Sequence, residues 1–405
     1  MSQAANRSEP SAAAARPTNR AGRPAVRPFA GLLDVVIVED PATFTFPGSI
    51  RRSSVVAGWT WVCRDICSDF ISPDEIADGS LTSAVLEPQL PKIMARMKEA
   101  LEKADADPET ARRLRTMLGS DEARDALPQI LSALRARPLL AKATAFGKAI
   151  NNIGEDSALG VALQSMPLRD PPLAALLFHA AMRQIVNPTR LVTTVIKLSG
   201  NATEASVARS GFAPVVDAML AHAQNQIYLL QPSGPFADID LICRGLDRFH
   251  RLVRALTGYI EFERGSTWAA ILSSLTKQVS DRIEPRLRDV VPDLNQALRR
   301  GRDASTDRLD NDRLLAAING IYLLATVREC RASMALNAVF DQAWSQSGEA
   351  LEMQLQRNLD LIRQNPADPI ISARLDAGIK MAEVRFNPEY AETLKRARAS
   401  AQRAN

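Results

Sequence analysis

The sequence predicts a mainly α-helical protein: a multi-helix bundle with a short N-terminal β-hairpin, preceded by a disordered basic leader. Three observations predict it. Beyond Ser49, apolar residues recur at spacings of 3 and 4, the period of an amphipathic helix. Helix-start signals (Ser, Thr, Asp or Asn before Pro or an acid) and glycine stops punctuate the same region. A single run, Leu32–Val38, carries a convincing strand signal. At 405 residues, 46% hydrophobic and 24% charged, the chain is ordinary for a globular protein, which excludes wholesale disorder. That length accommodates two or three cores.

The leader, residues 1–28, contains five arginines, one acid and no lysine. Its Ala, Pro, Arg and Ser content builds no core, and a solvated, disordered segment is expected. Leu32–Val38 follows, closed by Asp40-Pro41, with Thr43–Phe46 as its expected hairpin partner. Two strands alone are marginal, so they must pack on helices. From Ser49, Val55, Trp59, Val62, Ile66 and Phe70 share one helical face. Ser72-Pro73-Asp74-Glu75 opens a new helix with a cap, a first-turn proline and acids at the positive end of the dipole. Asp107-Pro108 and Ser120 open the next two, and Pro138, Asp156, Pro171-Pro172, Pro188 and Thr203 mark further starts. Gly119, Gly154, Gly200 and Gly211 mark ends. No fixed repeat period emerges.

Gln231-Pro232-Ser233-Gly234-Pro235 is the expected internal boundary. It separates an N-terminal helical region with the small β element (29–231) from a C-terminal bundle of longer helices (236–405). In the latter, Ile239, Ile242, Leu246, Phe249, Val253, Leu256 and Ile260 alternate spacings of 3 and 4. Their neighbours are not the charged flanks of a two-stranded coiled coil. A helix buried against two or more neighbours is expected. Arg244, Arg248, Arg251 and Arg254 fall on the opposite side and are expected in solvent. Pro285 and Pro292 are expected to kink or break the helix that starts at Trp268. Arg299–Asp307 reads as a polar loop, and Asp368-Pro369 and Asn387-Pro388 open the last two helices.

The net charge of +4 resides in the leader, because the remaining residues hold 45 bases and 45 acids. A DNA-binding domain concentrates a basic face, so no specific nucleic-acid partner is expected. Contact of the leader with an anionic membrane is worth roughly 1 kcal/mol per charge and is weak. Arginine outnumbers lysine 41 to 9, a coding bias that suggests a bacterial source. Neither a secretory signal nor a membrane-spanning run is present, since Pro171–Met182 is too short to span. The expected location is the cytoplasm, where Cys63, Cys67, Cys243 and Cys330 stay free thiols.

The sequence names no catalytic, cofactor-binding or metal-binding residue. Cys63 and Cys67 lack a second ligand pair for zinc. Asp307, Asp310 and Asp312 sit where helix-capping acids are expected. Asp247-x-x-His250 has no second copy for a di-iron bundle. His250 is expected to be a partner-satisfied histidine at the edge of a core. Trp61, two residues from Trp59, points to a different side of its helix. It is expected either at an interface or packed on the 32–46 segment. The candidate interaction surface is therefore Trp61, Arg244, Arg248, Arg251 and Arg254. The leading expectation is a non-enzymatic scaffold or adaptor that binds protein partners or itself. The alternatives are an all-α enzyme or ligand-binding protein with an interhelical pocket, and a peripheral membrane protein attached through the leader.

Overall fold

A computed structural model describes residues 27–230, 238–300 and 308–403. Several helices begin where the sequence supplies a capping oxygen. Ser72, Asp107, Asp170, Asn187, Thr203, Ser266, Asp310 and Asp368 each accept a hydrogen bond from a backbone N–H of the first turn that follows. Each side chain thereby satisfies a donor that the helix itself leaves unpaired. Gly119 and Gly200 end their helices in the left-handed conformation, which glycine adopts without a steric penalty. The fold is mainly α with one two-stranded sheet among the described residues.

Internal contacts divide the chain into two units, residues 1–37 with 50–140 and residues 38–49 with 141–405. In the first, 3-10 turns Pro28–Gly31 and Asp34–Val36 precede β1 (Ile37–Val38), whose partner is β2 (Ile50–Arg51). The expected partner, Thr43–Phe46, is not a strand. Phe44 instead exchanges its backbone bonds with a side chain: its N–H donates to Gln224 Oε1 at 2.8 Å, and its carbonyl accepts from Gln224 Nε2 at 2.9 Å. The expected strand Leu32–Val38 shortens to its last two residues because turns occupy Asp34–Val36.

Helix α1 (Arg52–Trp61) runs on into one wide π-helical turn, Val62–Ile66. After it come α2 (Pro73–Ala77), α3 (Ser83–Leu86), α4 (Leu90–Ala106), α5 (Pro108–Leu118) and α6 (Asp121–Ile150). Phe29, Trp59, Trp61, Val62, Leu86, Ile93, Met97, Leu127 and Ile130 are buried in this unit. Phe29 and Trp59 meet at 4.8 Å between ring centroids. Gly58 lets α1 approach α6, since a Cβ there would lie 3.1 Å from Ile130 Cδ1.

The second unit contains α7 (Asp156–Gln164), α8 (Pro171–Met182), α9 (Pro188–Ser199), α10 (Glu204–Arg209), α11 (Ala213–Leu229) and α12 (Ile239–Tyr259). It continues with α13 (Thr267–Leu298), α14 (Asn311–Cys330), α15 (Asn337–Gln364), α16 (Pro369–Arg385) and α17 (Pro388–Arg403). One apolar core extends from α7 to α17. Helix α11 packs on α8 and α12, α13 on α14 and α15, and α15 on α16 and α17. Buried Ile242, Leu246, Phe249, Val253 and Leu256 of α12 realise the stripe seen in the sequence.

Three expectations on organisation need correction or placement. The leader, apart from its last two residues, and the Gln231–Pro235 boundary lie outside the described residues. The helices flanking that boundary, α11 and α12, belong to one unit and pack together, because the α12 stripe needs α11 for its burial. The prolines do not break helices: α13 continues through Pro285 and Pro292, and α6 through Pro128 and Pro138. All four proline side chains are exposed, so each freed carbonyl lies near solvent or a polar side chain. Leu134 O, which Pro138 deprives of its helical donor, accepts from Arg137 Nη1 at 3.2 Å.

Candidate functional site

Helix α12 carries most of the side chains that the sequence singled out. Residues three and four apart share a helix face, and the outer face of α12 exposes Leu241, Arg244, Arg251, Arg254 and Tyr259. Arg244 Nε donates to Asp240 O at 3.2 Å, and Arg251 pairs with Asp247 at 2.8 Å. Arg248 departs from the expectation of a solvent-facing row. Its Nη1 donates to Ile185 O at 2.6 Å and its Nη2 to Met182 O at 2.9 Å. A guanidinium is thereby set against the carbonyl end of α8, where the helix dipole favours a cation. Burial lowers the pKa of Arg248.

Trp61 is not on a surface. It is only 1% exposed, so as an interface residue it is corrected to a core residue. About 200° separates it from Trp59 around the helix, and α1 is buried on both of those sides. The exposed strip of α1 is Ser53, Val56 and Thr60. Neither indole N–H has a hydrogen-bond partner.

Two histidine arrangements join helices. His250 Nδ1 lies 2.9 Å from Ser333 Oγ, which ties α12 to the 3-10 turn Arg331–Ser333. Burial, ahead of the opposing pull of Asp247, lowers the pKa of His250. A neutral imidazole beside a hydroxyl is the start of a nucleophilic dyad. Here Ser333 is buried, Asp247 is committed to Arg251, and burial pushes the adjacent Cys330 thiol up to about 12. The pair works as a pin. The second arrangement, His179 of α8 with His222 of α11, was not legible in the sequence, because 43 residues separate the two rings. They stack at 4.4 Å between centroids and 31° between planes, and His222 Nε2 donates to His179 O at 2.9 Å.

Other partly buried polar side chains are also spent on bonds between elements. Arg282 Nη1 donates to Ile227 O at 2.8 Å, and Arg286 Nη2 to Leu230 O at 3.3 Å, both at the carbonyl end of α11. Arg385 lies 3.6 Å from the centroid of the Trp344 ring and donates to Trp344 O at 2.6 Å. Gly348 leaves the room: a Cβ there would meet Arg385 Nη2 at 2.9 Å. Asp310 caps α14 through the N–H of Arg313, as expected for that acid, and Asp307 lies outside the described residues.

A recess of about 690 Å³ runs along α5, lined by Pro108, Glu109, Arg112, Arg113, Thr116 and Met117. A smaller one, about 180 Å³, lies between α13 and α15. Neither brings a histidine or cysteine to its wall among the described residues. No three His, Cys, Asp or Glu side chains among the described residues gather as a metal ion requires. No helix among them is long and apolar enough to cross a membrane.

Compared with protein-family models, with curated proteins and with solved structures, the chain matches none.

Proposed function

We propose that the protein is a non-enzymatic helical scaffold or adaptor that binds a protein partner, or a second copy of itself, along the outer face of α12. The observation that carries this reading is the division of labour on that helix. Its inner stripe and Arg248 are used up in packing and capping. Its outer face offers Leu241 and Tyr259, each about two-fifths exposed or more, with Arg244, Arg251 and Arg254 between them. Tyrosine and arginine are the side chains that protein interfaces favour, for large rigid contact area and fork-shaped hydrogen bonding. Such a face suits an amphipathic segment with acids at its rim. A cytosolic setting belongs to the same proposal and agrees with four free thiols.

Charge reversal tests it. A chain with Arg244→Glu and Arg254→Glu keeps its fold, since both side chains are exposed. Light scattering after size exclusion, together with capture from the native lysate, should show an assembly for the native chain that the reversed chain loses. A native chain that is strictly monomeric and retains the same proteins as the reversed one removes the proposal.

A further inference from the structure

The His179–His222 pair does more than fill space, and its surroundings say what. His179 is 1% exposed and His222 7%, so both rings are held away from water. His222 Nε2 is already bonded to a carbonyl, and His179 Nδ1 has no partner at all. One ring nitrogen of the pair is thus buried with its hydrogen-bonding capacity unmet. The charges that reach the rings are Arg183, just beyond the end of α8, and Arg248 of α12, both positive. Two carboxylates on the neighbouring elements are engaged elsewhere. Asp217 of α11 accepts from Trp268 Nε1 at 2.9 Å, and Asp247 of α12 is paired with Arg251. Glu39 and Asp40, on the 38–49 segment packed beside α11, do not act on either ring, and Lys148 of α6 is exposed. Arg282 of α13 is turned to Ile227 O.

We propose that the stacked His179–His222 pair is an acid-sensitive latch, closed when both rings are neutral and released when either is protonated, which frees α8 from α11. One added proton places a buried imidazolium against a second ring, with the positive charge of Arg248 acting against it. Separation of the helices hydrates the charge and removes the repulsion. Release also uncovers α8, on which Ala174, Leu176, Leu177 and Phe178 are buried, so the latch controls access to an apolar surface. Burial is the first cause that holds His222 down to about 4 and His179 well below the ordinary value of 6.5. With His222 alone titrating between 4 and 6.5, the opening equilibrium rises about thirtyfold from pH 7.5 to pH 5.

Hydrogen–deuterium exchange of the full chain at these two pH values, corrected for intrinsic exchange, reads the opening directly. Protection in the α8 and α11 peptides should fall about thirtyfold or more, while α15 and α16 change little. The chain with His179→Phe and His222→Gln keeps an aromatic ring and a donor for the residue-179 carbonyl but nothing that titrates, and should lose the acid response. A fall of less than tenfold in the native chain, or an equal fall in α15 and α16, would overturn the proposal, whether or not the double variant folds. Retention of the native response by the double variant would overturn it equally.

Discussion

Gly147 is a glycine because a backbone carbonyl occupies the place of its side chain: a Cβ there would lie 2.2 Å from Ala181 O. Gly147→Ala must push α6 and α8 apart, and urea denaturation should register a loss of about 3 kcal/mol. Gly119→Ala makes the contrast. Nothing lies within 4 Å of that position, and only its φ of +80° resists a side chain, so about 1 kcal/mol is expected. Arg248→Ala exposes no new chemistry but strips two donors from the end of α8, for about 2 kcal/mol. Arg254→Ala, on the same helix and exposed, should stay within about 0.5 kcal/mol. At this scale the sequence was legible wherever partners are local. Capping residues sit two or three positions from the N–H groups they serve, and the acids at 310 and 312 belong to the start of α14. Arg248 was misplaced because its acceptors lie 63 and 66 residues away, and helical phase alone cannot distinguish a cation in water from one on a buried carbonyl. Trp61 was left open between interface and packing for a related reason, since one apolar stripe does not reveal that α1 is covered on two sides.

Elements follow from periodicity where apolar stripes are long, and depart from it where tertiary contacts override a local rule. The α12 stripe is the clearest agreement. The prolines are the clearest departure, since a missing donor is tolerated on the exposed side of a helix when its partner carbonyl finds water or a side chain. Arg137 supplies that service to Leu134 O in α6. Arg137→Ala should cost about 1 kcal/mol, and a double-mutant cycle with Pro138→Ala should show coupling, because alanine restores the helical donor. Independent effects would show that Arg137 acts only through its contact with Glu87. The two-stranded element forms, but with Ile50–Arg51 as its second strand; Thr43–Phe46 is not that strand because Gln224 reads the backbone of Phe44 with a side-chain amide, a long-range substitute that alternation cannot reveal.

Across the whole molecule, mainly helical architecture was legible, and the division into units was not. Loop composition pointed to residues 231–235, whereas contacts divide within α6 and return the short 38–49 segment to the later unit. Composition marks flexible connections, but unit membership depends on which faces bury one another. Stability should also carry the mark of the buried histidines. The folded chain holds His222 below 6.5, so the unfolded chain binds the proton first. Its contribution is intact above about pH 6.5 and is lost as pH falls toward 4, on the order of 3 kcal/mol. Chemical denaturation at stepped pH checks the slope, and His222→Gln should flatten it.

The outer face of α12 as a docking surface is the claim on which the functional reading turns, and site-specific photo-crosslinking addresses it most directly. A photoreactive phenylalanine analogue placed at Arg254, and in a separate chain at exposed Arg357 on α15, is irradiated in the native cell. The account predicts a discrete covalent adduct, to another protein or to a second copy, from position 254 and none from position 357. No adduct at 254, or the same adducts from both positions, would contradict it.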